Sequence, residues 1–237
     1  MPMAGRGTRF AGAEARPKPL IQLDGKPFFW WAVESVRRLG PIGEMVFVVL
    51  AKHIEHFAID QRIREYYPHA HIEALPQVTA GAADTAAVGI ATLRSTNPVA
   101  VCDSDHAFDP GPGDWADALA ERDGLLMCFE SRDPAYSYAS VDSAGEVSAT
   151  VEKQAISNCA IAGCYLFASP RTFLDAQAAY RLDCPYDEPF ISGIYNKLIE
   201  GGGRVGRQML RRHLSFGTPA ELAGVIADRA RLDLWAE

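Results

Sequence analysis

Met45-Val46-Phe47-Val48-Val49-Leu50 is an unbroken apolar run. A strand with one wet face alternates apolar and polar residues. A continuous run instead reads as a strand covered on both faces, as in a parallel sheet between helical layers. On its N-terminal side, residues 27–39 predict a helix. Proline opens it, Trp31, Ser35, Val36 and Leu39 share one face, and Gly40-Pro41 stops it. On the other side the chain predicts a helix over 53–64, a strand over 71–75 and an alanine-rich helix over 82–93. A buried strand over 98–102, a helix over 114–122 and a strand over 125–129 follow. Such alternation implies right-handed crossovers and a mainly parallel sheet.

From Tyr138 the pattern changes. Residues 138–141 and 147–152, joined by Asp142-Ser143-Ala144-Gly145, predict an antiparallel hairpin. A strand over 161–167, helices over 170–180 and 190–200, a strand over 205–210 and a helix over 219–235 complete the chain. Gly201-Gly202-Gly203 breaks it before the last strand. No repeat, linker or low-complexity tract divides the sequence. The expectation is one α/β domain over 1–237 with a mixed, mainly parallel sheet and an antiparallel hairpin in its second half. Only Met1-Pro2-Met3 stand where a first strand is expected. That strand is either very short or begins before this chain does.

Composition narrows the function. The 237 residues are 48% apolar and carry a net charge of −7 with no long basic run, which argues against a nucleic-acid partner. No stretch of about 18 apolar residues predicts a membrane span, and no charged segment before an apolar core predicts a signal peptide. Cys102, Cys128, Cys159, Cys164 and Cys184 form no C-x-x-C pair. They read as small buried hydrophobes in a reducing cytoplasm. His53/His56 and His69/His71 lack companions at zinc-ligand spacing.

The residues suited to chemistry begin with Gly5-Arg6-Gly7-Thr8-Arg9. Glycines let the backbone approach an anion, and Arg9 adds a fork of donors for phosphate oxygens. Lys18, between Pro17 and Pro19, is held in one direction by its stiff neighbours. Val101-Cys102-Asp103-Ser104-Asp105-His106 ends a strand with two carboxylates at i and i+2, which project to the same side of an extended chain. Two carboxylates with phosphate oxygens suit magnesium.

Met3-Ala4-Gly5-Arg6-Gly7-Thr8-Arg9-Phe10, Lys18-Pro19-Leu20-Ile21 and Gly25-Lys26-Pro27 together resemble the nucleotidyltransferases that make nucleoside-diphosphate sugars. The resemblance continues through Gln77 and Thr79-Ala80-Gly81-Ala82-Ala83, then Asp103-Ser104-Asp105, then Glu152-Lys153 with Ile156-Ser157-Asn158 and Ala162-Gly163-Cys164-Tyr165-Leu166-Phe167. It implies a Rossmann-like (GT-A-like) three-layer fold, with the nucleotide on residues 1–130 and the acceptor on 131–237. Ala4, Gly5, Gly7, Thr8 and Arg9 would bind the triphosphate. Lys18 would stabilise charge around the α-phosphate and leaving pyrophosphate. Gln77 and Gly81 would contact the base, and Asp105 with Asp103 would hold Mg2+. Glu152, Lys153, Asn158 and Gly163 would receive the acceptor, Lys153 neutralising its phosphate. Asp187-Glu188 and Tyr195-Asn196 are expected in the same pocket.

One departure stands out. The family often places an aspartate two residues before the glycine of Gly217-Thr218-Pro219; here that position is Ser215. The expected partners are a nucleoside triphosphate and a phosphorylated small molecule, foremost a sugar 1-phosphate. A cytidylyltransferase acting on phosphocholine, a phosphonate or a similar compound is the first alternative. A glycosyltransferase using Asp103-Ser104-Asp105 as a D-x-D motif and a non-catalytic sensor are the others. The base is not readable, and a homo-oligomer stays open.

Overall fold

The computed structural model describes residues 1–5, 7, 10, 16–113, 115–228 and 232. A 3-10 turn at Lys18–Leu20 leads into a two-stranded hairpin, β1 (Gln22–Leu23) and β2 (Lys26–Pro27). Helix α1 (Phe28–Arg37), strand β3 (Val46–Leu50), helices α2 (Ala51–Phe57) and α3 (Ile59–Tyr66), and strand β4 (His71–Leu75) follow. Next come α4 (Ala82–Ile90), β5 (Val99–Cys102), β6 (His106–Asp109), α5 (Trp115–Ala120) and β7 (Gly124–Glu130). The second half holds β8 (Ser137–Val141), β9 (Val147–Glu152), β10 (Cys159–Phe167), α6 (Pro170–Leu182), α7 (Ile191–Glu200), β11 (Val205–Met209), β12 (Arg212–Ser215) and α8 (Pro219–Ala227).

Strand β10 explains the architecture. All nine of its residues are buried, and it pairs antiparallel with β5, β7 and β8. The main sheet runs β11-β7-β10-β8-β9, with β5 also on β10. β7 and β11 are parallel, as are β3 and β4. The mixed α/β sheet expected from the sequence is therefore present. Its antiparallel share is larger than helix-strand alternation implies, because the chain re-enters between β5 and β7 after the β8–β9 hairpin. Pro2 makes a parallel bridge with Val48, so Met1–Met3 takes the place of a first strand.

The period of two sorts β7 and β10 into two faces. Leu126, Cys128, Ile161, Tyr165 and Phe167 pack with α4, α6 and α7. Leu125, Met127, Ala162, Cys164 and Leu166 pack with Ala32 of α1 and Leu119 of α5. Helices thus cover both faces. Phe167 sits with its ring 4.9 Å from Phe173 and 4.7 Å from Tyr195; truncating so buried an aromatic costs about 3–5 kcal/mol. Ser35, on the apolar face of α1, is fully buried because its hydroxyl accepts the Phe108 N–H at 2.8 Å and donates to Trp31 O.

Several elements differ from the sequence reading. The helix expected over 53–64 is two helices, broken at Ala58, whose φ of 49° and ψ of 40° are left-handed. The break restarts the helical period so that Ile59 and Ile63 are fully buried. The helix begun at Ala82 ends at Ile90 in a turn closed by Thr92 N–H on Gly89 O. Strands β6 and β12, which pair antiparallel, were absent from the sequence reading. Four residues each are too few to show a period.

Candidate active site

A cleft of about 640 Å³ opens beside the ends of β5 and β9. Its wall begins with Met3, Ala4, Gly5 and Gly7. Gly7 has φ +62°, and the backbone of Lys18 lies against it. Lys18 starts its 3-10 turn behind Pro17, whose φ of −55° and ψ of 132° direct the chain into the cleft wall. The Lys18 ammonium forms an ion pair with Asp105 Oδ2.

Asp103 and Asp105 leave β5 on the rigid sheet. The Asp103 N–H donates to Gly163 O at 2.8 Å, and Asp105 O accepts the Phe216 N–H at 3.0 Å. Gly163 lies at a register shift of β10 with φ +67°. A Cβ there would sit 2.8 Å from His106 Cδ2 and 3.0 Å from Asp103 Oδ2. Glycine is required both for the backbone angle and for the close approach of these groups.

The two aspartates are electrostatically unequal. Burial, and then the charge of Asp105, push the Asp103 carboxyl up to about 8, with Lys18 pulling the other way. Burial also opposes charge on Asp105, but His106 and Lys18 outweigh it and hold the pKa at about 2. His106 is itself below the ordinary imidazole range through burial, with Asp105 pulling the other way. His106 Nδ1 lies 2.7 Å from His213 Nε2, and His213 stacks on Phe129 with centroids 3.7 Å apart.

Asp103, Asp105 and His106 can each offer a ligand atom, all within 4.8 Å of one another. Among the described residues, nothing donates a hydrogen bond to the Asp103 side chain. Two carboxylates, one lacking a partner, fit a hard divalent cation.

Glu152, the last residue of β9, lines the same cleft. Its Oε1 accepts from Ser137 Oγ at 2.6 Å and from Ser192 Oγ. Its N–H donates to the Tyr186 hydroxyl at 3.1 Å. Asn196 fastens the same strand to α7: its Oδ1 accepts the Thr150 N–H at 2.8 Å, and its Nδ2 donates to Thr150 O at 2.9 Å. Lys153 has φ 53°, its N–H donates to Tyr136 O at 3.1 Å, and its ammonium lies 4.9 Å above the Phe190 ring.

Two further segments close the cleft. Gly81 caps α4 against Pro189; a Cβ on it would lie 2.6 Å from Pro189 O, which accepts the Ala83 N–H. Ser215, Gly217, Thr218 and Glu221 form the other side. Glu221 accepts from the Tyr136 hydroxyl and from Thr218 Oγ1, each at 2.9 Å. Burial alone would raise Glu221; the hydroxyls of Ser215, Thr218 and Tyr136 overcome it and lower its pKa.

The structure brings Ala4, Gly5, Gly7, Lys18, Gly81, Asp103, Asp105, Glu152, Lys153 and Gly163 to this one cleft. Thr8 and Arg9 lie outside the described residues. Gln77 and Asn158 are exposed and do not line it; Val78, next to Gln77, does. Of the added candidates, Glu188 lines the cleft and Asp187 is exposed outside it. Tyr195 is buried in the core, its hydroxyl donating to Leu166 O at 2.9 Å. Asn196 acts on β9 instead. Tyr136, Ser137, Phe190 and Glu221 were not anticipated. Glu221 had a local signal: Thr218-x-x-Glu221 is a capping box, and Glu221 N–H donates to Thr218 Oγ1.

Solved structures share this fold. A nucleoside-diphosphate-sugar pyrophosphorylase from Vibrio cholerae RC9 superposes with a TM-score of 0.84 at 22% identity, over 96% of this chain and 98% of that one. The inositol-1-phosphate CTP transferase from T. maritima gives 0.75 at 14% identity, over 98% of this chain and 94% of that one. HddC from Yersinia pseudotuberculosis gives 0.66 at 17% identity, over 96% of each chain. No curated protein matches the sequence. The family model for nucleotidyl transferases, however, matches residues 3–229, and the chain belongs to that nucleotidyltransferase family.

Proposed function

We propose that the protein transfers a nucleotidyl group from a nucleoside triphosphate to a sugar 1-phosphate, releasing pyrophosphate. The observation that carries this reading is one cleft lined by Lys18, Asp103, Asp105, Glu152 and Lys153 together. Two anions must meet there, and Lys18 and Lys153 each supply a cation. Gly5, Gly7 and Gly81, from residues 1–130, take the triphosphate; Glu152 and Lys153, from 131–237, take the acceptor.

An oxygen of the acceptor's phosphate attacks the α-phosphorus in line. The new P–O bond forms as the bond to the β-phosphate oxygen breaks, and the electron pair leaves on pyrophosphate. Lys18 holds its ammonium beside the charge that develops, and Lys153 screens the acceptor's phosphate. The protein contributes positioning and fixed charge. Asp105 and Asp103 would hold Mg2+, which when bound supplies further neutralisation of phosphate charge. The hard oxygen ligands, and an Asp103 side chain with no hydrogen-bond donor among the described residues, support that choice.

Ser215, where an aspartate is common, favours a second reading, in which a cytidylyltransferase uses a non-sugar acceptor. The T. maritima neighbour of the same fold is an inositol-1-phosphate CTP transferase. The test is a matrix of triphosphates against glucose 1-phosphate, inositol 1-phosphate, phosphocholine and 2-aminoethylphosphonate, read by pyrophosphate release. The sugar reading expects release with the sugar phosphate. Tight triphosphate binding without release from any pair would indicate a sensor instead.

A further inference from the structure

Glu152 and the two serines bound to it are arranged asymmetrically. Both hydroxyls, Ser137 from β8 and Ser192 from α7, donate to the same oxygen, Oε1. Among the described residues nothing donates to Oε2, and Glu152 lines the cleft. Each serine has one proton, and each gives it to this carboxylate. Ser192 is only 1% exposed, so its hydroxyl has no water to turn to.

The strand beneath is an unlikely base for such accuracy. β9 is an edge of the main sheet, paired with β8 alone, and Glu152 is its final residue. Three contacts to α7 replace the missing neighbour. Thr150 Oγ1 donates to Ser192 O at 2.7 Å, Asn196 brackets the Thr150 backbone, and Ser192 reaches Glu152 itself.

We infer that Ser137 and Ser192 are positioning residues that commit one oxygen of Glu152 to the protein and leave the other to read a hydroxyl of the acceptor. The inference rests on the reading of Glu152 as an acceptor contact. It also names the acceptor class: a polyhydroxylated monophosphate. An ionised carboxylate oxygen can only accept a hydrogen bond. A sugar or cyclitol phosphate offers O–H donors to it, and a quaternary ammonium offers none. A fixed acceptor atom discriminates against ligands that cannot satisfy it.

The experiment compares wild type, Ser192→Ala and Ser137→Ala on glucose 1-phosphate, its deoxy analogues, inositol 1-phosphate and phosphocholine, with thermal melts to confirm folding. The serine variants are expected to raise the KM for the polyol phosphate about tenfold, the scale of one lost hydrogen bond to a charged group. The KM for the triphosphate stays within about twofold. The penalty for the deoxy analogue that wild type rejects most shrinks in the same variants. Unchanged acceptor KM in both folded variants overturns the inference alone, and wild-type preference for phosphocholine overturns it together with the sugar reading. Should a variant not fold, Ser192→Cys, which keeps a weak donor, takes its place and is expected to fall between serine and alanine. Absence of pyrophosphate release by wild type with every acceptor overturns the functional reading and this inference with it.

Discussion

Gly163→Ala tests how the cleft is built. The substitution adds one methyl group at φ +67°, a left-handed conformation that costs an L-residue roughly 1–2 kcal/mol. The new Cβ would also lie 2.8 Å from His106 Cδ2, 3.0 Å from Asp103 Oδ2 and 3.2 Å from Asp103 Cβ. His106 and Asp103 must give way by a few tenths of an ångström. Neither can do so freely: the Asp103 N–H is bonded to Gly163 O, and His106 is braced by His213. A total of about 2–3 kcal/mol corresponds to a fall in Tm of about 4–12 °C for a chain of this size. Displaced catalytic groups should cost turnover about 10²-fold. The control is Gly145→Ala, at φ +86° in the β8–β9 turn with nothing within 4 Å of a Cβ. It carries the conformational cost without the contacts, so it should lower Tm less and leave turnover intact. Differential scanning fluorimetry and pyrophosphate release read both variants. Wild-type turnover in Gly163→Ala, or an equal loss in Gly145→Ala, would refute the reasoning.

Lys18→Ala and Asp105→Ala should each reduce turnover about 10²–10³-fold, the scale of roughly 3–4 kcal/mol for a lost charge contact, while circular dichroism stays native; near-normal release from either would remove that residue from the mechanism. Asp109 is buried but below the ordinary carboxylate range: burial opposes its charge, and the Gly111 N–H and Arg211 overcome it. A depressed folded-state pKa stabilises above the unfolded value of about 3.9 and is lost as pH falls through the folded one. Arg211→Ala should therefore cost about 1 kcal/mol near pH 7, discounted because the Arg211 side chain is 56% exposed, and the Tm gap should narrow below about pH 4. A gap constant from pH 7 to pH 3 would contradict this. Ala58→Gly should raise Tm by about 2–4 °C, because glycine adopts the φ of 49° seen there without the roughly 1 kcal/mol strain; a lower Tm would show that the alanine methyl contributes more than the strain removes.

Legibility followed locality. The run at Met45–Leu50 announced β3 because its neighbours in sequence carry the signal. The alternation of helix and strand gave the layers, and the carboxylate pair at the end of β5 marked one side of the cleft. Strands β6 and β12 escaped because their pairing joins His106 to Ser215, more than a hundred residues apart, through four-residue segments. Ala58 misleads because alanine is the best helix former, and only the burial of Ile59 and Ile63 turns it left-handed. Ser137 and Ser192 are unremarkable in sequence; their meaning arises where β8, β9 and α7 meet. The extent of β10's antiparallel pairing was equally invisible, since the direction of a re-entering strand depends on the hairpin that precedes it.

Asn196 has a consequence beyond the site. A sheet's outermost strand offers free amides and carbonyls to any other extended chain, which is the usual route to adhesion between molecules. The carboxamide of Asn196 meets the Thr150 N–H and C=O at 2.8 and 2.9 Å, the same two bonds that another strand would make. One side chain thus ends the sheet by imitating its next member. The residue that steadies the acceptor end also removes a place where a second molecule could begin to polymerise.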